Sequence, residues 1–288
     1  MLNKNIFTNK LGLVRSILAL SLLLTLCLNS TETLFPKEYL NYIYGNTFWD
    51  KINFFLIFED IWIARLISII ILTIVIFGFY PKITGVFHWW ISFSFFNSCL
   101  IVEGGDQILS ILTFLLIPIT VLDNRKNHWQ KSIKQSTLSL NIGNSILFII
   151  KIQASVIYLQ ASLDKLYKVQ EWRNGTAVYY WFNDSVFGAP DYVIGTLNYF
   201  LSFPLFITTI SWGVVILELL LSFAIFMKSY YKKIFFKLAF LFHLVIAYMH
   251  GLPTFFLAML GLLILYLLPI NGDFEKKIRV YIFKKIMG

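Results

Sequence analysis

The chain has 288 residues, of which 58% are hydrophobic and only 14% are charged, and its mean hydropathy is +0.73. Because a soluble domain carries roughly a quarter charged residues, this composition excludes a water-soluble globule. Long apolar segments recur along the sequence, which predicts membrane-spanning helices rather than the short alternating strands of an outer-membrane barrel. The net charge of +9 is explained by basic cytoplasmic loops, and no nucleic-acid partner is expected.

About eight apolar segments are predicted to span the membrane. They cover residues 13–29, 61–80, 86–101, 107–122, 138–163, 205–227, 238–250 and 254–269. Most of the 24 Lys and Arg residues lie in segments that this scheme places on the side of the N-terminus. Since cytoplasmic loops are rich in Lys and Arg, both termini are predicted to be cytoplasmic. The predicted fold is an all-α, polytopic transmembrane helix bundle, with a single membrane domain over residues 1–288.

Two segments outside these spans have predicted roles at the membrane surface. Residues 192–203 are too short to cross a bilayer, so they predict a re-entrant or interfacial helix within the segment 165–203. Residues 270–288 predict a basic cytoplasmic tail that lies on the anionic inner leaflet, with a solvated tail as the alternative. Its cations are Lys276, Lys277, Arg279, Lys284 and Lys285.

Charged residues inside a predicted span are costly, so each needs a partner or a route to water. Arg65 lies one turn inside the second predicted span and is predicted to reach Glu59 and Asp60. Lys151 and Glu218 lie near the middle of the fifth and sixth spans, and a buried ion pair between them is the simplest prediction. A proton or ion path through these residues is the alternative.

The fifth predicted span carries polar residues at intervals of four, three, four and three, which places them on one helix face. These residues are Lys151, Ser155, Tyr158, Ser162 and Lys165. Such a face is predicted to line a cavity or a tight polar contact, with interhelical hydrogen bonding as the alternative. Gln153, Gln160 and Asp164 lie on a neighbouring face.

The turn "VEGGDQ" at residues 102–107 brings two carboxylates to the outer side. Glu103 and Asp106 are predicted either to pair with Lys165 or Arg173, or to cap the following helix. These two predictions remain open at the level of sequence.

The four histidines are not at metal-binding spacing. His243 and His250 are seven residues apart on one helix face and predict buried hydrogen-bonding side chains. His88 and His128 are each followed by a tryptophan, which predicts positions at the membrane interface.

Several motifs resemble those of a known membrane domain. The residues "ASLDKL", followed by "WRNGTAVYY", are similar to the signature of the horizontally transferred transmembrane domain that vitamin K-dependent gamma-carboxylases share. "LGLVRSILAL" at 11–20 resembles the Arg-bearing first helix of that domain, and "FHLVIAYMHGLPTFF" resembles its late helical hairpin. Over most of the chain, including "GLVRSILALSLLLTLCLNSTETLF" and "LQASLDKL", the sequence resembles the sporulation-delaying protein B family.

This resemblance implies a multi-pass protein of the bacterial plasma membrane that assists the maturation or export of a secreted antimicrobial peptide. The implied partners are membrane lipid, the precursor peptide and a small partner protein encoded nearby. The alternative is a carboxylase-like or quinone-linked membrane enzyme, in which Lys165 matches the lysine that acts as general base in gamma-carboxylases. A small transporter is a third hypothesis. By resemblance alone, a quinone is a candidate cofactor.

The candidate functional residues come from this resemblance and from the polar positions in the predicted spans. No metal ligands are predicted among them. Lys165 is the candidate catalytic base. The other candidates are Asp164, Trp172, Arg173, Asn174, Gly175, Glu103, Asp106, Lys151, Glu218, Arg15, His243 and His250.

Overall fold

A computed structural model describes residues 5–45, 47–131, 134–185 and 188–271. Within these ranges the regular elements are all helices, with one isolated bridge between Phe79 and Asn127 among the connecting loops, which confirms the predicted all-α class. The helices are α1 (Asn9–Leu28), α2 (Thr31–Leu34), α3 (Lys37–Ile43), α4 (Phe48–Lys51), α5 (Ile61–Phe77), α6 (Pro81–Ser98), α7 (Gly104–Val121), α8 (Thr137–Lys168), α9 (Gln170–Arg173), α10 (Ala177–Phe182), α11 (Asp191–Leu201), α12 (Pro204–Ser222), α13 (Ser229–His250) and α14 (Pro253–Leu267). A 3₁₀ turn, Phe223–Phe226, continues α12.

Five of the described helices are long and apolar enough to cross a membrane. These are α1, α7, α8, α12 with its 3₁₀ extension, and α13. Helices α5 and α14 are apolar but shorter, and α6 covers another predicted span. Each predicted span therefore contains a helix, and the chain is a helical membrane protein. The count of about eight spans stays a prediction.

The chain packs as two compact units, which are described separately below. Unit 1 contains the described residues before 149, together with 257–265 and 269–271, and unit 2 contains 149–256 and 266–268. The division falls within α8. The single domain predicted over residues 1–288 stays a prediction, and the predicted basic tail lies outside the described residues from 272 onwards.

Close helix contacts in unit 1 depend on glycine. A Cβ atom at Gly85 of α6 would overlap the side chain of Thr120 in α7, and a Cβ atom at Gly261 of α14 would lie 2.6 Å from Leu18 Cδ2 in α1. Membrane helices have no hydrophobic driving force against lipid, so close backbone approach at small residues provides much of their packing energy.

The segment between α1 and α5 folds onto α6. Asn53 Nδ2 donates to the Ser94 carbonyl at 3.1 Å, and the Phe54 amide donates to Ser94 Oγ at 2.9 Å. The Phe35 ring stacks on Phe55 at a centroid distance of 4.8 Å and meets Phe95 edge-on at 5.9 Å. This segment is therefore part of the core of unit 1.

The predicted partners of Arg65 are wrong. Its guanidinium donates to Thr31 Oγ1 at 2.6 Å and to the Asn29 carbonyl at 2.7 Å. The last carbonyl groups of a helix have no partner within it, and Arg65 satisfies one just beyond the end of α1. Asp60, one of its predicted partners, instead caps α5 by accepting from the Trp62 amide at 2.9 Å.

Glu103 and Asp106 form a capping box at the start of α7. The Asp106 carboxylate accepts from the Glu103 amide at 3.0 Å, and the Glu103 side chain accepts from the backbone of Asp106. A carboxylate is favourable at a helix N-terminus because it satisfies amides that have no partner within the helix. The capping alternative therefore accounts for both residues.

In unit 2, the segment after α8 forms the short helices α9, α10 and α11. Their apolar side chains form a buried cluster with α12, which we call the outer cluster. It consists of Trp172, Ala177, Val178, Val193, Leu197, Leu201, Val214 and Val215. The Val178 amide also donates to Ser211 Oγ at 3.2 Å. The segment 165–203 is thus folded against a membrane helix, while its re-entrant or interfacial placement stays a prediction.

Candidate functional site

A partly buried ion pair joins α8 to α12 in unit 2. Lys165 Nζ donates to both carboxylate oxygens of Glu218, at 2.9 and 2.8 Å. The side chain of Lys165 is 21% exposed and that of Glu218 is 9% exposed. The predicted pairing of Glu218 with Lys151 is therefore wrong, because the lysine that reaches this carboxylate is Lys165, in the last turn of α8. Lys151 itself is half-buried.

The same ammonium group contacts the outer cluster. Lys165 Nζ lies 5.3 Å from the centroid of the Trp172 ring, at cation–π distance. It also lies 3.5 Å from the Ala161 carbonyl, one turn back along α8. A cation in the last turn of a helix is favourable because the carbonyl ends of the helix dipole point towards it. Lys165 thus links α8, α12 and the outer cluster through one charged group.

We call a polar contact between two helices a tie, and the Lys165–Glu218 pair is the first. Two turns before Lys165, a second tie joins α8 to α13. The Tyr158 hydroxyl lies 3.0 Å from His243 Nε2, and both side chains are buried. The Tyr158 ring stacks on Tyr266 at 6.4 Å, and the Phe255 ring meets His243 edge-on at 5.6 Å. His243 Nδ1 is buried and makes no hydrogen bond within the described residues. This is a well-packed aromatic site with one polar connection between two membrane helices.

A third tie holds the end of α12. Ser155 Oγ donates to the Ser222 carbonyl, and the Tyr266 hydroxyl donates to the Leu221 carbonyl at 2.8 Å. The Tyr266 oxygen in turn accepts from the Ile225 amide at 3.0 Å. The last carbonyl groups of a helix need such partners, and inside a membrane water cannot supply them.

The polar face of α8 thus makes three interhelical ties, through Ser155, Tyr158 and Lys165. Ser162, on the same face, is fully buried and bonds back to the Leu159 carbonyl at 2.9 Å. This arrangement corresponds to the interhelical hydrogen-bonding alternative. A general base needs an amine whose nitrogen is free to accept a proton, whereas Lys165 Nζ donates to both carboxylate oxygens of Glu218. As arranged, the Lys165–Glu218 pair is an anchor between helices.

A quinone would need hydrogen-bond donors for its carbonyl oxygens. Lys165 Nζ is committed to both oxygens of Glu218, and the Tyr158 hydroxyl is engaged with His243. A quinone that used these two donors would therefore have to compete with their present partners in the protein. No group of three or more His, Cys, Asp or Glu side chains within the described ranges is placed to hold a metal ion.

The remaining candidates of unit 2 lie around this pair. Asp164 pairs with Lys168 at 2.8 Å on the surface of α8. Arg173 ends α9 and Asn174 caps it. Gly175 has a φ of +71°, and a Cβ atom there would lie 2.9 Å from Thr208 Cγ2, so this glycine permits both the turn and the contact with α12.

His250 ends α13 and lies between two aromatic rings. Its ring centroid is 4.1 Å from that of Trp181 and 4.9 Å from that of Phe182. His250 thus packs α13 against α10, and its side chain is buried as predicted.

In unit 1, Arg15 is the centre of a separate buried network. Arg15 Nη1 lies 3.0 Å from His128 Nδ1, and Nη2 donates to Thr84 Oγ1 at 3.2 Å. Because a guanidinium only donates, His128 Nδ1 accepts, and His128 is neutral with its proton on Nε2. Nε2 lies 3.2 Å from Ser16 Oγ, which donates to the Ile76 carbonyl at 2.8 Å. A directed chain of hydrogen bonds therefore runs from Arg15 to the end of α5.

The side chain of His128 is fully buried within the described residues, and its predicted position at the membrane interface stays a prediction. Burial, and secondly the positive charges of Arg15 and Arg125, lower the pKa of His128 from 6.5 to about 2. Its ring fits because Gly12 and Gly78 lack side chains: a Cβ atom at either would lie less than 3 Å from the ring. Both glycines lie far from His128 in the sequence, so no signal near His128 predicted this contact. The side chain of His88 is also buried, and its predicted interfacial position likewise stays a prediction.

A buried ion pair that the sequence pattern did not predict lies beside this network. Arg125 Nη2 donates to Asp123 Oδ2 at 2.7 Å, and their side chains are 0% and 4% exposed. The Arg125 guanidinium further donates to the carbonyl groups of His128 at 2.9 Å and Gln130 at 3.2 Å. The pair therefore fixes the loop that inserts His128 into unit 1.

Two proteins of Bacillus subtilis (strain 168) are similar to the chain over most of its length. The chain is 39% identical over 276 residues to sporulation-delaying protein SdpB, which covers 93% of this chain and 84% of SdpB. The chain belongs to the sporulation-delaying protein B family. It is also 32% identical over 286 residues to the uncharacterized protein YitO, over 94% of this chain and 89% of YitO. No family model and no solved structure matches this member of the family.

Membership confirms the family that the motifs predicted. The relation to the horizontally transferred transmembrane domain and to gamma-carboxylases stays a prediction. The three ties of α8 and the Arg15 network are accordingly features of a sporulation-delaying protein B family member.

Proposed function

We propose that this chain is a multi-pass protein of the bacterial plasma membrane that assists the maturation or export of a secreted antimicrobial peptide of the sporulation-delaying type. The observation that carries the proposal is the 39% identity to SdpB over 93% of the chain. In this proposal about eight helices span the membrane, both termini are cytoplasmic, and the basic tail lies on the inner leaflet. The chain acts with the precursor peptide and a small partner protein encoded nearby.

Within this proposal, Lys165 acts as an anchor that positions the outer cluster for the peptide. The support is geometric: one ammonium contacts the Glu218 carboxylate in α12 and the Trp172 ring in the outer cluster. A change at Lys165 would therefore disturb the relation between the membrane helices of unit 2 and the short helices after α8. Catalysis at Lys165 is not needed for this role.

The second candidate is an enzyme in which Lys165 is a general base. The observation that favours it is the 21% exposure of the Lys165 side chain, which leaves the amine within reach of a substrate. For this role the pair with Glu218 must open before the reaction, because the amine nitrogen must be free to accept a proton.

Deletion of the gene in the producing bacterium tests the proposed function. Culture medium of the deletion strain is compared by mass spectrometry with that of the parent and of a strain carrying the gene on a plasmid. We expect the mature peptide to disappear from the medium and to return with the plasmid. An unchanged amount and mass of secreted peptide in the deletion strain would contradict the proposal.

Cysteine labelling tests the proposed topology, in a variant whose Cys27 and Cys99 are replaced by serine. Single cysteines at positions 45 and 185 should react with an impermeant reagent added to intact cells. Cysteines at positions 130 and 232 should react only after the membrane is opened. Labelling at position 130 in intact cells would contradict cytoplasmic termini.

A further inference from the structure

Helix α8 carries, in unit 2, a second face whose residues recur at alternating intervals of four and three. We call it the exposed seam, and it consists of Ile149, Gln153, Val156, Gln160, Leu163 and Tyr167. Ile149 and Val156 are 44% and 46% exposed, so the described chain leaves most of the seam uncovered. A repeat of 3.5 residues is the pattern by which two helices pair as a left-handed coiled coil.

Two glutamines interrupt the apolar residues of the seam. Gln160 is exposed and Gln153 is half-buried, and neither side chain has a hydrogen-bond partner within the described residues. Gln153 lies about 18 Å along the helix from Lys165 and falls inside the candidate span Thr137–Lys168. Lipid tails cannot satisfy an amide, so an amide on a lipid-facing surface of a membrane helix favours a helix partner.

We propose that the exposed seam joins two copies of this chain, with α8 of one copy parallel to α8 of the other. A primary amide has both donors and an acceptor, so it is complementary to the same residue on a second copy. All copies have one orientation in the membrane, and a twofold axis along the membrane normal therefore pairs equivalent residues. Gln153 then faces Gln153 of the second copy, and Gln160 faces its equivalent.

The composition of the seam agrees with this arrangement. None of its six residues is charged, so no like charges oppose each other when two copies meet. One branched apolar residue, Val156, separates the two glutamines along the seam. Polar residues at such core positions fix the register and the number of helices in a coiled coil. The proposal concerns assembly and does not depend on the proposed function.

Disulfide cross-linking in native membranes tests the proposed contact. In a chain with Cys27 and Cys99 replaced by serine, Val156→Cys lies on the seam. Leu241→Cys on α13 is the matched control, because Leu241 is 56% exposed and lies outside the seam. Under a mild oxidant, we expect Val156→Cys to give a covalent dimer in several-fold higher yield than Leu241→Cys. Equal yields would overturn the proposal, as would a cross-link from position 156 to a different protein.

Replacing the amides tests whether they hold the contact. We expect Gln153→Leu with Gln160→Leu to reduce the dimer yield of Val156→Cys about tenfold, since two interhelical amide bonds are lost. The matched change of both residues to Asn keeps the amides and should retain the dimer. Yields are normalised to the amount of chain in the membrane. A yield that is unaffected by leucine would overturn the proposal, because the seam would then associate only through its apolar residues.

Discussion

The two units bury their membrane helices to different extents. In α1 and α7 of unit 1, 56% of the apolar stretch is buried. In α12 and α13 of unit 2, and in α8, which lies mostly in unit 2, the buried share is 33%, 22% and 28%. Unit 1 also encloses its main polar network, in which Arg15, His128, Arg125 and Asp123 satisfy one another. Unit 2 instead connects sparsely packed helices through single polar ties and leaves polar groups of α8 on its surface. Unit 1 thus satisfies most of its polar and apolar groups internally, whereas unit 2 exposes helix surface that a partner can contact.

The largest expected effect is the loss of stability when the carboxylate of an ion pair is removed, and it should differ between the two units. Asp123→Asn leaves Arg125 buried without a carboxylate, and we expect a loss of about 3–5 kcal/mol of unfolding free energy. Glu218→Gln should cost less, because the side chain of Lys165 is 21% exposed and can turn towards water. Thermal unfolding of both variants in detergent measures the difference. A larger loss for Glu218→Gln would contradict the comparison between the units.

A double-mutant cycle sharpens the account of unit 2. Lys165→Met leaves the Glu218 carboxylate without its partner and should cost about 3 kcal/mol, and adding Glu218→Gln should recover much of this loss. Lys151 provides the matched control, since it lies fourteen residues before Lys165, or about 21 Å along α8. The effects of Lys151→Met and Glu218→Gln should be additive. Additive losses for Lys165 and Glu218 would show that the pair does not form.

The pH dependence of stability tests the neutral His128 of unit 1. The folded state lowers the pKa of His128 from 6.5 to about 2, so below pH 6.5 the unfolded chain binds a proton that the folded chain does not. The stability that neutral His128 contributes to the folded state is fully present above pH 6.5. Below pH 6.5 it decreases by about 1.4 kcal/mol for each pH unit. His128→Gln should therefore lose less stability than the parent chain between pH 7.5 and 5.5. Equal losses would mean that His128 does not control this dependence.

The sequence predicted the helical elements well because long apolar segments have no alternative to a helix inside a membrane. It also placed the polar residues of α8 on one face, since helical periodicity follows from spacing alone. The partner of Glu218 was mispredicted because depth in a span does not specify the rotation of a helix or the reach of a lysine. Lys165 lies at the end of α8, yet its long side chain reaches back into the helix contact.

The Arg15 network shows a different limit of prediction from the sequence. His128 lies in a short loop beside a tryptophan, a pattern typical of the membrane interface. Its burial depends on Gly12 and Gly78, which lie far from it in sequence. Only the packing of α1 and α5 against the loop brings these residues together, so spacing within the loop could not reveal it.

The most direct test of the role of unit 2 replaces Lys165 with arginine. The mass and amount of the secreted peptide are then measured. Arginine keeps the charge and can bind a carboxylate, but it cannot act as a base because it stays protonated. If Lys165 is an anchor, Lys165→Arg should yield peptide of the parent mass in roughly parental amount, within about twofold, while Lys165→Ala should yield little. Lys168→Ala is the control, because that lysine is 68% exposed. Normal accumulation of the arginine variant in the membrane without mature peptide would contradict the account and favour Lys165 as a base.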